Sequence, residues 1–143
     1  MILKTQMNNL KNIVCQSEGR LEYGPGMRAV VWVDQDISNL YRKLIPKYYY
    51  PQPQMYNAHI TVVRTSKESV KDLSSWNKYN GEIISFEYER YVNFDGIYFY
   101  LNVFSDRIGE IRQELGLPRF RFGELGSAKG CYHISIANCK RQK

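Results

Sequence analysis

The chain has 143 residues, of which 43% are hydrophobic, so we expect one domain over residues 1–143 rather than two. Twenty Lys and Arg against fourteen Asp and Glu give a formal net charge of +6, which favours polyanionic partners such as nucleotides and nucleic acid. The three cysteines lack CxxC spacing and there are only two histidines, which excludes the usual zinc sites. No run of about 18 apolar residues occurs, which excludes a membrane helix. These features predict a reduced, cytoplasmic protein without a metal.

The first predicted element is a buried strand at 27–34, MRAVVWVD, because this stretch is apolar and rich in β-branched residues. A helix follows, with Asp36 as a possible cap and with apolar residues at helical spacing until Pro46 discourages continuation. A proline-rich, extended loop then leads into a second strand at 57–64, NAHITVVR.

The next segment, 65–73, has the spacing of a capping box from Thr65 to Glu68 and predicts a short helix. Two alternating strands joined by an NFDG turn come next, and Ser105 can cap the helix DRIGEIRQELG that follows. A basic, glycine-rich loop leads into the last strand at 131–138, CYHISIAN. This order of elements suggests two related β-α-β halves.

The only two histidines occupy matching places in two predicted strands, HITVVR and HISIAN. Residues i and i+2 of a strand share a face, so His59 shares a face with Thr61 and Val63, and His133 likewise shares one with Ser135. With 13 Ser and Thr among 143 residues, a given His has a hydroxyl residue two places later by chance about 9% of the time. Both histidines have one by chance less than about 1% of the time.

Either tripeptide alone is explained more simply as an ordinary strand, but the two together favour one active site. Imidazole titrates near pH ~6.5, so one histidine can be a general base while the other is a general acid. Two hydroxyl groups can then hold the non-bridging oxygens of a phosphodiester. Such a set of groups needs no metal and no other cofactor.

This pair of motifs resembles the signature of the 2H phosphoesterase superfamily, also called LigT-like, which has two copies of H-x-T/S with an apolar middle residue. HITVVR looks like that motif in nearly its fullest form, and HISIAN is similar with Ser in place of Thr. The resemblance implies an α+β, bilobal fold with two antiparallel sheets flanked by helices around a central cleft. It also implies His59 and His133 as catalytic acid and base, with Thr61 and Ser135 holding the phosphate.

The resemblance further implies metal-independent action on a nucleotide or oligonucleotide phosphodiester, without an obligate protein partner. The compact chain looks most like small viral members that destroy cyclic or oligomeric nucleotide signals of antiviral defence. It would then resemble a phage anti-CBASS nuclease, acting in the host cytoplasm. The alternatives are RNA-end processing at a 2′,3′-cyclic phosphate or 2′-5′ linkage, a non-catalytic basic module that binds nucleotides or RNA, and an assembly or scaffold protein.

Candidate substrate-binding residues near the motif strands are aromatic or basic. Aromatic rings can stack on bases and basic groups can bind phosphate, although packing or solvation explains many such residues equally well. The aromatic candidates are Tyr56, Trp76 and Tyr132, and the basic candidates are Arg64, Arg119, Arg121 and Lys129. Because Arg119 and Arg121 lie two apart in the glycine-rich loop, they predict a basic lid over an anion.

Overall fold

The computed structural model describes residues 13–26, 28–71, 73–120 and 130–140. Within these residues the chain forms seven strands, two α-helices and two short 3-10 turns. The strands are β1 (Val14–Gly24), β2 (Arg28–Trp32), β3 (His59–Arg64), β4 (Ile83–Glu89), β5 (Asn93–Phe94), β6 (Tyr98–Phe104) and β7 (Tyr132–Asn138). The helices are α1 (Gln35–Lys43) and α2 (Asp106–Glu114), and the 3-10 turns are Lys47–Tyr49 and Leu73–Ser75.

The strands form one antiparallel sheet in the order β4-β1-β2-β3-β7-β6-β5, and β4 also pairs with β6. This last pairing, of Glu87 with Phe104 and Tyr88 with Val103, closes six strands into a barrel. The predicted α+β class is therefore confirmed, whereas the predicted bilobal fold with two separate sheets is wrong. The physical reason is that β1 pairs with both β2 and β4, and so joins the two expected sheets.

Strand β1 lies before the first element that was predicted from the sequence. Only two positions of its sequence, VCQSEGRLEYG, are fully buried, Gly19 and Leu21, so apolar and polar residue types hardly alternate although the exposure does. A Cβ atom at Gly19 would overlap the carbonyl oxygen of Trp32, which means that the close approach of β1 to β2 requires glycine there.

Both helices begin at a side-chain cap. The carboxylate of Asp34 accepts a hydrogen bond from the Asp36 N–H (2.9 Å), so the cap of α1 is Asp34 and not the predicted Asp36. The predicted cap of α2 is confirmed, because Ser105 Oγ accepts from the Ile108 N–H (3.3 Å). In the described part of the chain, no helix has the length and apolar composition needed to cross a membrane.

The barrel consists of two equivalent halves, β1-β2-α1-β3 and β4-β6-α2-β7. They meet at equivalent strands, since β1 pairs with β4 and β3 pairs with β7. Ile60, the middle residue of the first motif, pairs directly with Ile134, the middle residue of the second. The pairing register thus supports the duplication that the order of elements suggested.

Each helix donates a hydrogen bond to the motif strand of the opposite half. Ser38 Oγ of α1 donates to the carbonyl of Ile136 in β7 (3.4 Å), and Arg112 Nη1 of α2 donates to the carbonyl of Val62 in β3 (2.7 Å). Both acceptors are the fourth residue of their motif. The two halves therefore support one another at matching positions.

Arg112 is fully buried and holds several parts of the chain together. Its Nη1 and Nη2 donate to the Glu68 carboxylate (3.0 and 2.6 Å), and its Nε donates to the Pro118 carbonyl (2.9 Å). The short helix predicted at 65–73 is wrong: residues 65–67 form a turn, and the Glu68 carboxylate binds Arg112 across the barrel instead. A buried guanidinium needs such partners because burying an unpaired charge costs much free energy.

Replacing Arg112 with Met should lower the free energy of unfolding by about 3–5 kcal/mol, because the Glu68 carboxylate loses the cation that compensates its burial. Urea unfolding followed by tryptophan fluorescence measures this loss. Arg107→Met on the same helix is the matched control, since the Arg107–Glu82 pair is about one-third exposed and should contribute no more than about 1 kcal/mol. Equal losses in the two variants would contradict the prediction.

Candidate active site

A groove of about 880 Å³ opens over the sheet where the two motif strands meet. All four predicted catalytic residues line it: His59, Thr61, His133 and Ser135. The Ile60–Ile134 pair explains this arrangement, because in an antiparallel pair the residue before one partner faces the residue after the other. Each histidine therefore lies toward the hydroxyl residue of the other motif, on the face opposite to the two buried isoleucines.

A β-bulge at Val62 changes which side chains of β3 reach the groove. Consecutive residues of β2 pair with Thr61 and Val63, so the ladder skips Val62. The bulge reverses the alternation beyond it, and the prediction that Val63 shares the face of His59 is wrong, since Val63 is fully buried. Arg64 instead lines the groove.

Strand β7 has the same irregularity at the equivalent place. Consecutive residues of β6 pair with Ala137 and Ser135, so Ile136 is skipped. Asn138, the sixth residue of HISIAN, then lines the groove as Arg64 does in HITVVR. The two motifs thus correspond over six residues, and each contributes its first, third and sixth side chain to the groove.

His59 is half-buried, and its Nδ1 donates to the carbonyl of Asn57 at 2.8 Å. A carbonyl can only accept, so the neutral ring carries its proton on Nδ1 and leaves Nε2 as an acceptor. Burial lowers the pKa of His59 below its ordinary value of 6.5, and the charges of Arg28 and Arg64 lower it further, against the opposing effect of the Asn57 bond. His59 is therefore suited to accept a proton at neutral pH.

Each histidine ring lies edge-on to an aromatic ring, His59 to Trp32 (centroids 5.5 Å apart) and His133 to Tyr100 (6.0 Å), but their strand partners differ. His133 lies opposite Asn102 in the β6–β7 ladder, whereas the equivalent neighbour of His59 is Trp32. Asn102 is buried and its Nδ2 donates to the Glu89 carboxylate (3.0 Å), while its Oδ1 has no hydrogen-bond partner within the described ranges. A nearly symmetric framework thus places an amide and a carboxylate on one side, and an indole and two guanidiniums on the other.

The aromatic candidates occupy different places. Tyr56 lines the groove and is 58% exposed, so it is accessible to a substrate. Trp76 lies away from the groove, edge-on to Tyr23 with ring centroids 4.9 Å apart. Tyr132 is buried, and its hydroxyl donates to the Arg119 carbonyl (2.6 Å). Trp76 and Tyr132 therefore pack in the structure rather than line the groove.

Among the basic candidates, Arg64 lines the groove. Arg119 lies elsewhere, because its guanidinium binds the Asp106 carboxylate at the start of α2 (2.6 Å). Arg121 and Lys129 lie outside the described residues, and the predicted basic lid depends on Arg121.

The groove also contains side chains that no sequence motif indicated. They include Arg28, Gln52, Gln54, Lys67, Tyr98 and Lys140. Pairing explains two of them, since Arg28 lies opposite Arg64 and Tyr98 lies opposite Asn138. Gln52 is positioned by two backbone hydrogen bonds with Asn138 (2.7 and 3.0 Å), and these contacts leave no local signal in the sequence.

We compared the chain with protein-family models, with curated protein sequences and with solved structures, and none of these comparisons finds a match. Among the residues that the structure describes, no group of three or more His, Cys, Asp and Glu could hold a metal ion. The catalytic and binding roles named above stay predictions, and the geometry of the groove is what supports them.

The titration of His59 can be measured alone in the variant His133→Asn, because the chain has only two histidines. We expect an NMR midpoint below 6.5 and a neutral ring protonated on Nδ1, since burial and two guanidiniums disfavour the imidazolium. Adding Arg28→Gln should raise the midpoint, whereas Lys43→Gln on the surface of α1 should leave it unchanged. A midpoint at or above 6.5 would contradict this prediction.

Proposed function

We propose that this chain is a phosphodiesterase that cleaves a nucleotide phosphodiester, with His59 as the general base and His133 as the general acid. The observation that supports this best is that both histidines and both motif hydroxyls line one groove in equivalent positions. In-line displacement at phosphorus has an entering and a leaving oxygen on opposite sides, with two non-bridging oxygens between them. Two imidazoles and two hydroxyls match these four oxygens.

In the proposed reaction, His59 Nε2 takes the proton of a substrate 2′-hydroxyl, whose oxygen attacks the neighbouring phosphorus. The bond from phosphorus to the 5′ oxygen breaks, and His133 gives a proton to that oxygen. The products are a 2′,3′-cyclic phosphate and a 5′-hydroxyl. Thr61 and Ser135 donate hydrogen bonds to the non-bridging oxygens, where negative charge increases in the transition state.

The charges around the two histidines support this assignment of roles. Arg28 and Arg64 disfavour a positive charge on His59, which suits a base that begins neutral. On the other side, the strand partner of His133 is Asn102, whose amide donates to the Glu89 carboxylate. The reverse assignment would require His59 to hold a proton in the field of two guanidiniums.

We further propose that the substrate is a cyclic or oligomeric nucleotide signal of antiviral defence, as the resemblance to 2H phosphoesterases implies. Support for a nucleotide comes from the charge of the groove and from exposed aromatic rings. Among the described residues, four cationic side chains and one carboxylate line it: Arg28, Arg64, Lys67, Lys140 and Asp95. Tyr56 and Tyr98 add ring faces on which bases can stack.

Cleavage can be screened in EDTA with cyclic dinucleotides, cyclic trinucleotides, 2′-5′ oligoadenylates and 2′,3′-cyclic mononucleotides, and the products identified by mass spectrometry. His59→Ala and His133→Ala should each abolish the cleavage that the wild type shows. Thr61→Ala and Ser135→Ala should each lower kcat by about 10²–10³, as loss of one oxyanion donor does. Ser66→Ala, a hydroxyl on an exposed turn, is the matched control. Undiminished cleavage in both histidine variants would rule out the proposal.

A substrate with p-nitrophenolate as the leaving group separates the two histidines, because this group leaves without being protonated. With a nucleoside 3′-(p-nitrophenyl phosphate), His133→Ala should recover most of the wild-type rate, whereas His59→Ala should stay inactive. The measurement is the release of p-nitrophenolate. Recovery in His59→Ala and not in His133→Ala would show that the roles are reversed.

A further inference from the structure

We propose that Arg28 and Arg64 form a subsite for a second phosphate of the substrate, beside the phosphodiester that is cleaved. This inference rests on the proposed function and specifies its substrate class. It favours linear or cyclic oligonucleotides with at least two phosphates over dinucleoside monophosphates and 2′,3′-cyclic mononucleotides.

The fold holds these two arginines side by side. Arg28 and Arg64 are direct partners in the β2–β3 ladder, although like charges opposite one another destabilise a sheet. The bulge that turns Arg64 into the groove is held by Arg112, which donates to the Val62 carbonyl, while the Glu68 carboxylate accepts from the Arg64 N–H (3.4 Å). Buried interactions thus hold two residues of like charge at opposing positions of the ladder.

Neither arginine forms an ion pair with a carboxylate within the described part of the chain, where the ion pairs lie away from the groove. These pairs are Lys78–Glu114, Arg107–Glu82, Arg107–Glu110, Arg112–Glu68 and Arg119–Asp106. Two neighbouring guanidiniums without a carboxylate offer several parallel N–H donors to the oxygens of one phosphate. An anion bound there would also relieve the repulsion between them.

The position of the arginines relative to the catalytic groups fits a neighbouring phosphate. Both lie close enough to His59 for their charges to lower its pKa. Arg64 follows Thr61 by three residues, which is about 10 Å in a regular strand and less across the bulge. An arginine side chain can span much of the distance between these two positions. The guanidinium of Arg28 also lies 5.8 Å from the ring centre of Tyr56, where a base could stack beside the bound phosphate.

Binding can be tested without turnover by using 2′-deoxynucleotides, which lack the attacking hydroxyl. Calorimetric titration would compare d(ApA), with one phosphate, against d(ApAp) and d(pApA), which carry a second phosphate at one end. We expect at least one of these to bind about tenfold more tightly than d(ApA), as a charge-assisted contact implies. Arg28→Gln/Arg64→Gln should remove this advantage, whereas Lys43→Gln/Lys47→Gln, outside the groove, should retain it.

Cleavage of the ribonucleotides ApA and ApApA then gives a ratio of kcat/KM values, which cancels any effect of the arginines on His59 itself. The ratio should clearly exceed the statistical value of about two, which reflects the two cleavable bonds of ApApA, in the wild type and in the lysine control, and should fall to about two in the arginine variant. Cleavage without such a preference, or an equal preference in the arginine variant, would overturn the subsite and leave the proposed function standing. Phosphate-dependent binding without cleavage of any substrate would support the subsite and overturn the proposed function.

Discussion

The pairing of Ile60 with Ile134 assembles the candidate site. Both side chains are fully buried, and because side chains alternate along a strand, the residues on either side of each isoleucine must face the other way. In both motifs those residues are a histidine and a hydroxyl residue. A slip of one residue between β3 and β7 would bury polar side chains and expose isoleucine, so the hydrophobic core holds the groove in register.

The bulges at Val62 and Ile136 extend this arrangement by bringing the sixth motif residue back to the groove. Each bulge carbonyl accepts a hydrogen bond from the helix of the opposite half, from Arg112 at Val62 and from Ser38 at Ile136. The stronger support lies at Val62, where the donor is a buried cation with a short bond. Each half therefore supports the motif strand of the other.

The framework is nearly two-fold symmetric, but the charges placed on it are not. The charges of Arg28 and Arg64 act on His59, whereas the strand partner of His133 is Asn102, whose amide donates to Glu89. The surroundings of the two histidines therefore differ, and burial together with the two cationic charges favours the neutral form of His59. Acid–base catalysis by two histidines needs such a difference, since one must accept a proton while the other donates one.

Local patterns in the sequence were enough to predict both motif strands, both helices, the α+β class and the four motif side chains that line the groove, because a period of two or of 3.6 residues is visible within a short window. They missed β1, which has only two fully buried positions, and they placed a helix at 65–73, where Glu68 instead binds Arg112, 44 positions away. Pairings between strands far apart in the chain close the barrel and form the two bulges. The same pairings place Arg28 and Asn138 in the groove. Such pairings leave no local pattern, and they are settled by which apolar faces can be buried together.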